Sequence, residues 1–172
     1  MEKREGAVTF KKNPVTLVGP ELKVGDAAPE FTCLQVLDPV TLASTPAKAR
    51  LFSVVPSLDT PVCSEQTKKF EAALSELGDS VAAYTVSLDL PFAQNRFCTA
   101  ENVSNVTSLS DVHNHSFGQN YGVLLEGLPL PLLTRAVFVV DKEGKITHAE
   151  YVSEVTDHPD YDKAVAALKA AI

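Results

Sequence analysis

Leu51-Phe52-Ser53-Val54-Val55-Pro56-Ser57-Leu58-Asp59-Thr60-Pro61-Val62-Cys63 is the stretch on which the reading of this chain turns. Its first five residues form a short apolar run, bounded by proline and carrying two valines, which predicts a buried strand. A proline-rich turn follows. From Cys63 the period changes: Cys63, Thr67, Phe70, Leu74 and Leu77 recur at i, i+4, i+7, i+11 and i+14, one face of a helix. Gly78 is placed to end that helix as a C′ glycine. Cys63 therefore belongs to the first turn of a helix that leaves a core strand. The unpaired N–H groups and partial positive charge of a helix N-terminus favour a thiolate over a thiol. The thiolate is the reactive form of cysteine. The competing reading is a small buried hydrophobe, the commonest use of a free cysteine.

Working outward, Val81–Leu88 and Arg135–Val140 read as two further buried strands, with 50–55 as the first. Pro91 opens a short helix through Cys98, in which Ala93 and Phe97, four apart, could share a buried face. Val103–Leu109 suggests a short strand and Phe117–Val123 a short helix. Asp141-Lys142-Glu143-Gly144 turns the third strand into Lys145–Val152. A last helix starts near Asp160, with Tyr161, Val165 and Leu168 on one face. Toward the N-terminus, Val8–Phe10 and Val15–Val18 flank a hairpin signal, and Phe31–Val36 reads as a strand containing Cys33. Leu128-Pro129-Leu130-Pro131 reads as an exposed apolar loop. Strand–helix–strand order with a hairpin near the end predicts an α/β fold with a central mixed sheet flanked by helices.

The 172 residues suit one domain spanning 1–172. At 45% hydrophobic and 22% charged, the composition is that of an ordinary globular chain. Fifteen basic against 22 acidic residues, net −7, argue against nucleic-acid binding. No apolar run approaches the ~20 residues of a membrane helix, and MEKREGAVTFKK lacks a signal-peptide core, so the cytoplasm is the expected compartment. The three cysteines lie 30 and 35 residues apart with no C-x-x-C, a pattern of neither a disulfide framework nor a zinc site. In a reducing compartment a disulfide between any two would be catalytic or sensing rather than structural.

Several residues could carry chemistry. The Thr60 hydroxyl, three before Cys63, can exchange hydrogen bonds with a thiol, thiolate or peroxide oxygen, or serve as a helix N-cap. Pro56 fixes the strand exit. Arg135 opens a buried strand, where a guanidinium stays charged; it either pairs with an acid or stabilises a developing anion. Cys98 reads as a packed thiol and Cys33 as a buried bystander. Asp111, His113 and His115 offer only a weak metal-like spacing and read as a solvated loop. Gln66 is near enough to Cys63 for a local hydrogen bond.

Pro56, Thr60 and Cys63 reproduce P-x-x-x-T-x-x-C, and the segment resembles the active-site signature of peroxiredoxins. SVVPSLDTPVCSEQT resembles more narrowly that of the bacterial thiol peroxidases, an atypical two-cysteine branch. VTFKKNPVTLVGPELKVGDAAPEF, SLDLPFAQNRFC and RAVFVVDKEGKI are similar to the same branch, so the resemblance spans most of the chain. It implies a thioredoxin-like fold with an N-terminal β-hairpin. It implies a hydroperoxide substrate, Cys63 as the peroxidatic cysteine, and Cys98 as the resolving cysteine that closes an intramolecular disulfide. It also implies that Pro56 shields Cys63 and that Thr60 and Arg135 complete the site. Thioredoxin is the implied reductant, a homodimer the implied assembly, and no metal, haem or flavin is implied. Two other classes stay open on the residues alone. One is a redox-switched interaction protein; the other is a cysteine hydrolase using His113, His115, His148 or His158 as base.

Overall fold

The computed structural model describes residues 1–172. Its strands are β1 (Lys3–Phe10), β2 (Asn13–Val18), β3 (Thr32–Gln35), β4 (Asp38–Thr41), β5 (Ala49–Val54), β6 (Val81–Ser87), β7 (Thr107–Ser110), β8 (Leu124–Glu126), β9 (Leu132–Leu133), β10 (Ala136–Val140) and β11 (Ile146–Tyr151). Its helices are α1 (Pro61–Leu74), α2 (Pro91–Ala100), α3 (Ser116–Asn120) and α4 (Tyr161–Ala170). Every residue of β5 is buried, as a strand covered on both faces requires. It pairs parallel with β6 and antiparallel with β10. The full sheet runs β11-β10-β5-β6-β7-β3-β4, with β5, β6 and β7 parallel and the outer pairings antiparallel.

Alternation along β5 and β10 sends side chains to two cores. Leu51, Val137 and Val139 meet Phe70 and Leu74 of α1 and Ala164 and Leu168 of α4. Phe52, Val54, Phe138 and Val140 meet Phe31, Phe117 and Tyr121 on the opposite face. The expected mixed sheet and its flanking helices are both present.

The N-terminal hairpin is present and longer than its apolar residues suggest. It joins β8 and β9 in a second sheet ordered β1-β2-β8-β9, and the apolar 128–131 segment is the exposed turn of that added hairpin. The β1–β2 turn places Lys11 and Lys12 at φ 49° and 70°, a region unfavourable for side chains with a Cβ. The Glu154 carboxylate accepts both of their backbone N–H groups and so holds the turn.

Three local expectations are corrected. α1 stops at Leu74, so Gly78 is not its C′ residue; it lies in a 3-10 turn, Gly78–Ser80, at φ +52°. Asp38-Pro39 opens β4, an outermost strand, where proline is tolerated. Ala93 is exposed, and Gln94 takes the buried place on α2. α2 also runs two residues past Cys98, ending where Asn102 turns left-handed (φ 55°) and the Val103 N–H reaches the Cys98 carbonyl. This is the bond pattern of a Schellman cap, with asparagine standing in for the usual glycine.

Candidate active site

β5 delivers the chain into the Pro56–Thr60 turn, and α1 starts at Pro61, a position where the missing proline N–H costs nothing. Thr60 is the N-cap residue by backbone, but its side chain makes no capping bond. Its hydroxyl donates instead to the Ser57 carbonyl at 2.9 Å. The N-cap reading of that side chain is therefore corrected, and its oxygen accepts from no protein donor. Pro56 is buried.

Cys63 is completely buried, packed with Val55, Leu58 and Phe97. Arg135, immediately before β10, comes to it from across the sheet. The guanidinium is only 3% exposed, and a charge so placed must be fully engaged to be tolerated. It is: Nε donates to the Val155 carbonyl at 2.8 Å, Nη1 to Gln66 Oε1 at 2.9 Å and Nη2 to Cys63 Sγ at 3.4 Å. Gln66 is fixed in turn, its Nε2 donating to Ser53 Oγ at 2.7 Å. Ser53 is on β5 and Gln66 on α1, so the cation is held by both elements that frame the cysteine. Gln66 thus bonds Arg135 and Ser53 rather than Cys63.

Pro56, Thr60, Val62, Leu132 and Arg135 line a cleft of about 420 Å³, with Phe10 and Lys11 of the hairpin also on its wall. Arg135 is the side chain that both faces the cleft and touches the sulfur. The residues around Cys63 can therefore do two things chemically: hold an anionic sulfur beside a fixed cation, and receive a small polar molecule against an apolar wall.

Asp89, which no motif in the sequence singles out, is a further residue of the site. Its carboxylate accepts from Ser57 Oγ at 2.8 Å, the Leu58 N–H at 2.9 Å and Ser87 Oγ at 2.7 Å. It ties the Cys63 turn to the junction between β6 and α2. An aspartate before a helix-opening Leu-Pro was the available signal; its partners in the turn were not readable from sequence.

The structure does not bring Cys98 to Cys63: all three cysteines are free. Cys98 lies in the last turn of α2 with its Sγ 3.1 Å from Ser108 Oγ on β7. Burial pushes its thiol pKa up, Ser108 pulls it down, and the Glu71 charge pushes it up again. Cys33 is completely buried in β3 and donates to Asp111 Oδ1 at 3.6 Å. Burial, then the neighbouring Asp111 charge, raise its pKa far above the ordinary thiol range, which keeps it protonated.

Asp111 is no part of a solvated loop. It is buried, and its carboxylate accepts the Phe117 and Gly118 N–H groups at 3.0 and 2.8 Å, so it anchors α3. Desolvation raises its pKa against those bonds. None of the four histidines hydrogen-bonds Cys63; His158, the one nearest α1, bonds Tyr161 and faces Glu65. The hydrolase alternative consequently lacks its base.

A mixed sheet with a reactive-type cysteine at the start of the helix after its central strand, faced by an arginine from the neighbouring strand, defines the redoxin class. Residues 23–165 match the Redoxin family model. The chain is 53% identical over 167 residues to a thiol peroxidase of Halalkalibacterium halodurans, covering 96% of this chain and 99% of that one. It is 50% identical over 166 residues to a thiol peroxidase of Bacillus subtilis, covering 96% and 98%. Among solved structures, a peroxiredoxin-like protein from Aquifex aeolicus superposes with a TM-score of 0.90 at 45% identity, covering 97% of this chain and 98% of that one. The chain belongs to the Redoxin family and, within it, to the bacterial thiol peroxidases. It is a peroxidase of the oxidoreductase class and reduces peroxides by peroxiredoxin-type chemistry. No helix is long and apolar enough to cross a membrane.

Proposed function

We propose that Cys63 is the peroxidatic cysteine and that Arg135, Thr60 and Pro56 build the site around it. One observation carries this reading: the buried guanidinium held 3.4 Å from Cys63 Sγ with its other nitrogens occupied. The fixed charge stabilises the thiolate, and it lies where negative charge develops on the breaking O–O bond. The thiolate attacks the terminal oxygen of a hydroperoxide, ROOH. The S–O bond forms as the O–O bond breaks. The leaving oxygen takes a proton and departs as water or an alcohol, and Cys63 becomes a sulfenic acid. Thr60 Oγ, with its proton on Ser57, accepts from the hydroperoxide O–H and so orients it. Pro56 keeps bulk water away from the sulfur.

Cys98 then attacks the sulfenic acid, forming the Cys63–Cys98 disulfide and releasing a second water. A disulfide requires Cα atoms within about 7 Å, and on α2 it is Phe97, not Cys98, that packs against the Cys63 cluster. Closure therefore proceeds through unwinding of the last turn of α2, the first turn of α1, or both. Ring closure over this span restricts the unfolded chain by roughly 3–4 kcal/mol, which offsets the loss of a helical turn. Thioredoxin reduces the exposed disulfide. The enzyme works in the cytoplasm as a homodimer of one-domain chains spanning 1–172.

The cycle is tested by peroxide consumption with thioredoxin and its reductase. Sustained turnover supports it. Consumption of about one equivalent followed by arrest would mark a redox switch instead.

A further inference from the structure

The surroundings of Cys98 are separate from those of Cys63. Cys98 and Ser108 line a polar cleft of about 200 Å³ between α2 and β7, shared with Gln35, Asn95, Ser104 and Thr107. The 3.1 Å contact to Cys98 Sγ is the only hydrogen bond of the Ser108 side chain. Successive residues on a helix point about 100° apart, so the same turn that presents Phe97 to the Cys63 cluster presents Cys98 to β7. Phe97, not Cys98, occupies the place beside Cys63. Two hydrogen bonds hold Cys98 to groups outside its helix: the Val103 N–H on its carbonyl and Ser108 on its sulfur.

We propose that Ser108 is a positioning residue for disulfide closure: its hydroxyl moors the Cys98 thiol in the α2–β7 cleft and so sets how quickly Cys98 reaches an oxidised Cys63. This rests on the reading of Cys98 as the resolving thiol. Two fates compete for the sulfenic acid. In closure, the Cys98 thiolate displaces the sulfenic oxygen as water, taking up one proton, and the S–S bond forms. In overoxidation, a second hydroperoxide gives its oxygen to Cys63, which becomes a sulfinic acid, and the hydroperoxide leaves as an alcohol or water. A neutral hydrogen bond that must break first slows closure by about two- to tenfold. Ser108 therefore also sets the peroxide dose at which Cys63 is lost to the sulfinic acid.

The experiment is quenched-flow mass spectrometry of the Cys63–Cys98 disulfide after one equivalent of hydrogen peroxide, for wild type, Ser108→Ala and Ser108→Thr. Compared at equal Cys98 thiolate fraction, Ser108→Ala is expected to close about two- to tenfold faster, with the sulfinic-acid dose shifted up by a similar factor; Ser108→Thr keeps the hydroxyl and stays at the wild-type rate. A second readout is the pH profile of Cys98 alkylation in the reduced protein. Its midpoint should rise in Ser108→Ala, which a purely packing role would not produce. If the alanine variant does not fold, Ser108→Val against Ser108→Thr makes the same comparison at constant shape. Closure at the wild-type rate or slower without the hydroxyl, or a threonine variant that behaves like the alanine one, overturns the proposal. Cys98→Ser separates the two levels. If that variant still closes an intramolecular disulfide, the resolving role and the mooring both fall. If it stops at the sulfenic acid while Ser108→Ala is indifferent, only the mooring falls.

Discussion

Cys63 and Cys98 are 35 residues apart in one chain, and the structure treats them oppositely. Cys63 is sealed among apolar side chains, and the guanidinium beside it is itself held by Gln66 and the Val155 carbonyl. Cys98 is half-buried near the end of a short helix, and its sulfur has one hydrogen-bond partner. The first arrangement suits a group that must meet a transition state in fixed geometry. The second suits a group that must leave where it stands. Cys33 completes the comparison. It is as buried as Cys63, but its partner is the carboxylate of Asp111, which opposes the thiolate that Arg135 would stabilise. Burial alone does not make a cysteine reactive; the sign of the neighbouring charge does.

The contrast breaks most completely at the sulfur. Cys63→Ser is expected to abolish peroxide turnover, because no alkoxide is available near neutral pH as a thiolate is. Steady-state peroxide consumption checks this, and a variant retaining even about a tenth of the rate would remove Cys63 from the first step. Next come the groups that aim at it. Arg135→Met should slow oxidation of Cys63 by about 10²–10³-fold, the usual cost of one charge aimed at a developing anion, and Thr60→Val should slow the same step by leaving the hydroperoxide unoriented. Reduction of a preformed disulfide should change much less. Rapid-quench oxidation rates equal to wild type would exclude either residue.

The third cysteine sharpens the comparison from the other side. Cys33→Ala should leave turnover unchanged and lower stability by no more than about 1–2 kcal/mol, the cost of a small core truncation. A large loss of turnover, or an oxidised protein with Cys33 in a disulfide, would contradict that.

The smallest effect concerns the frame behind Arg135. Backbone N–H groups of Thr156 and Lys12 hold the Glu154 carboxyl at about 2, below its usual 4.5. A carboxyl depressed on folding contributes stability above its unfolded value and loses it as pH falls through its folded value. Wild type should therefore melt slightly above Glu154→Gln at neutral pH, with the gap closing between about 4.5 and about 2. Thermal melts across that range check the sign; a gap that widens on acidification would contradict it.

Much of this was legible in the sequence because it is local and periodic. The β5 run, the one-face pattern of α1 and the P-x-x-x-T-x-x-C spacing between Pro56 and Cys63 all lie within a few turns of chain. The strand-opening position of Arg135 marked it as unusual, and family likeness supplied its partner. The rest was hidden because it depends on contacts between distant segments. Gln66 faces Arg135 across 69 residues, and Asp89 reaches Leu58 across 31. The β8–β9 hairpin was missed because β9 has two residues, too few for any pattern. The Ser108–Cys98 contact lay in a stretch whose strand was predicted too early, with Val103 in place of Thr107 as its start. Ala93 misled because spacing alone puts it on the face of Phe97, whereas the sheet beneath meets Gln94, whose amide donates to Ser87 and to the Leu109 carbonyl.

The central claim is that the Cys98 site comes apart further than the Cys63 site when the disulfide closes. Amide hydrogen exchange measures this directly on two samples: reduced protein, and protein oxidised with one equivalent of peroxide in which peptide mapping has confirmed the Cys63–Cys98 link. Protection over 91–100 should fall on oxidation, with a smaller fall over 60–66, while 81–87 in the central sheet stays as it was. Equal protection over 91–100 in the two states would show that the disulfide closes without unwinding α2, and the distinction drawn between the two cysteines would be wrong.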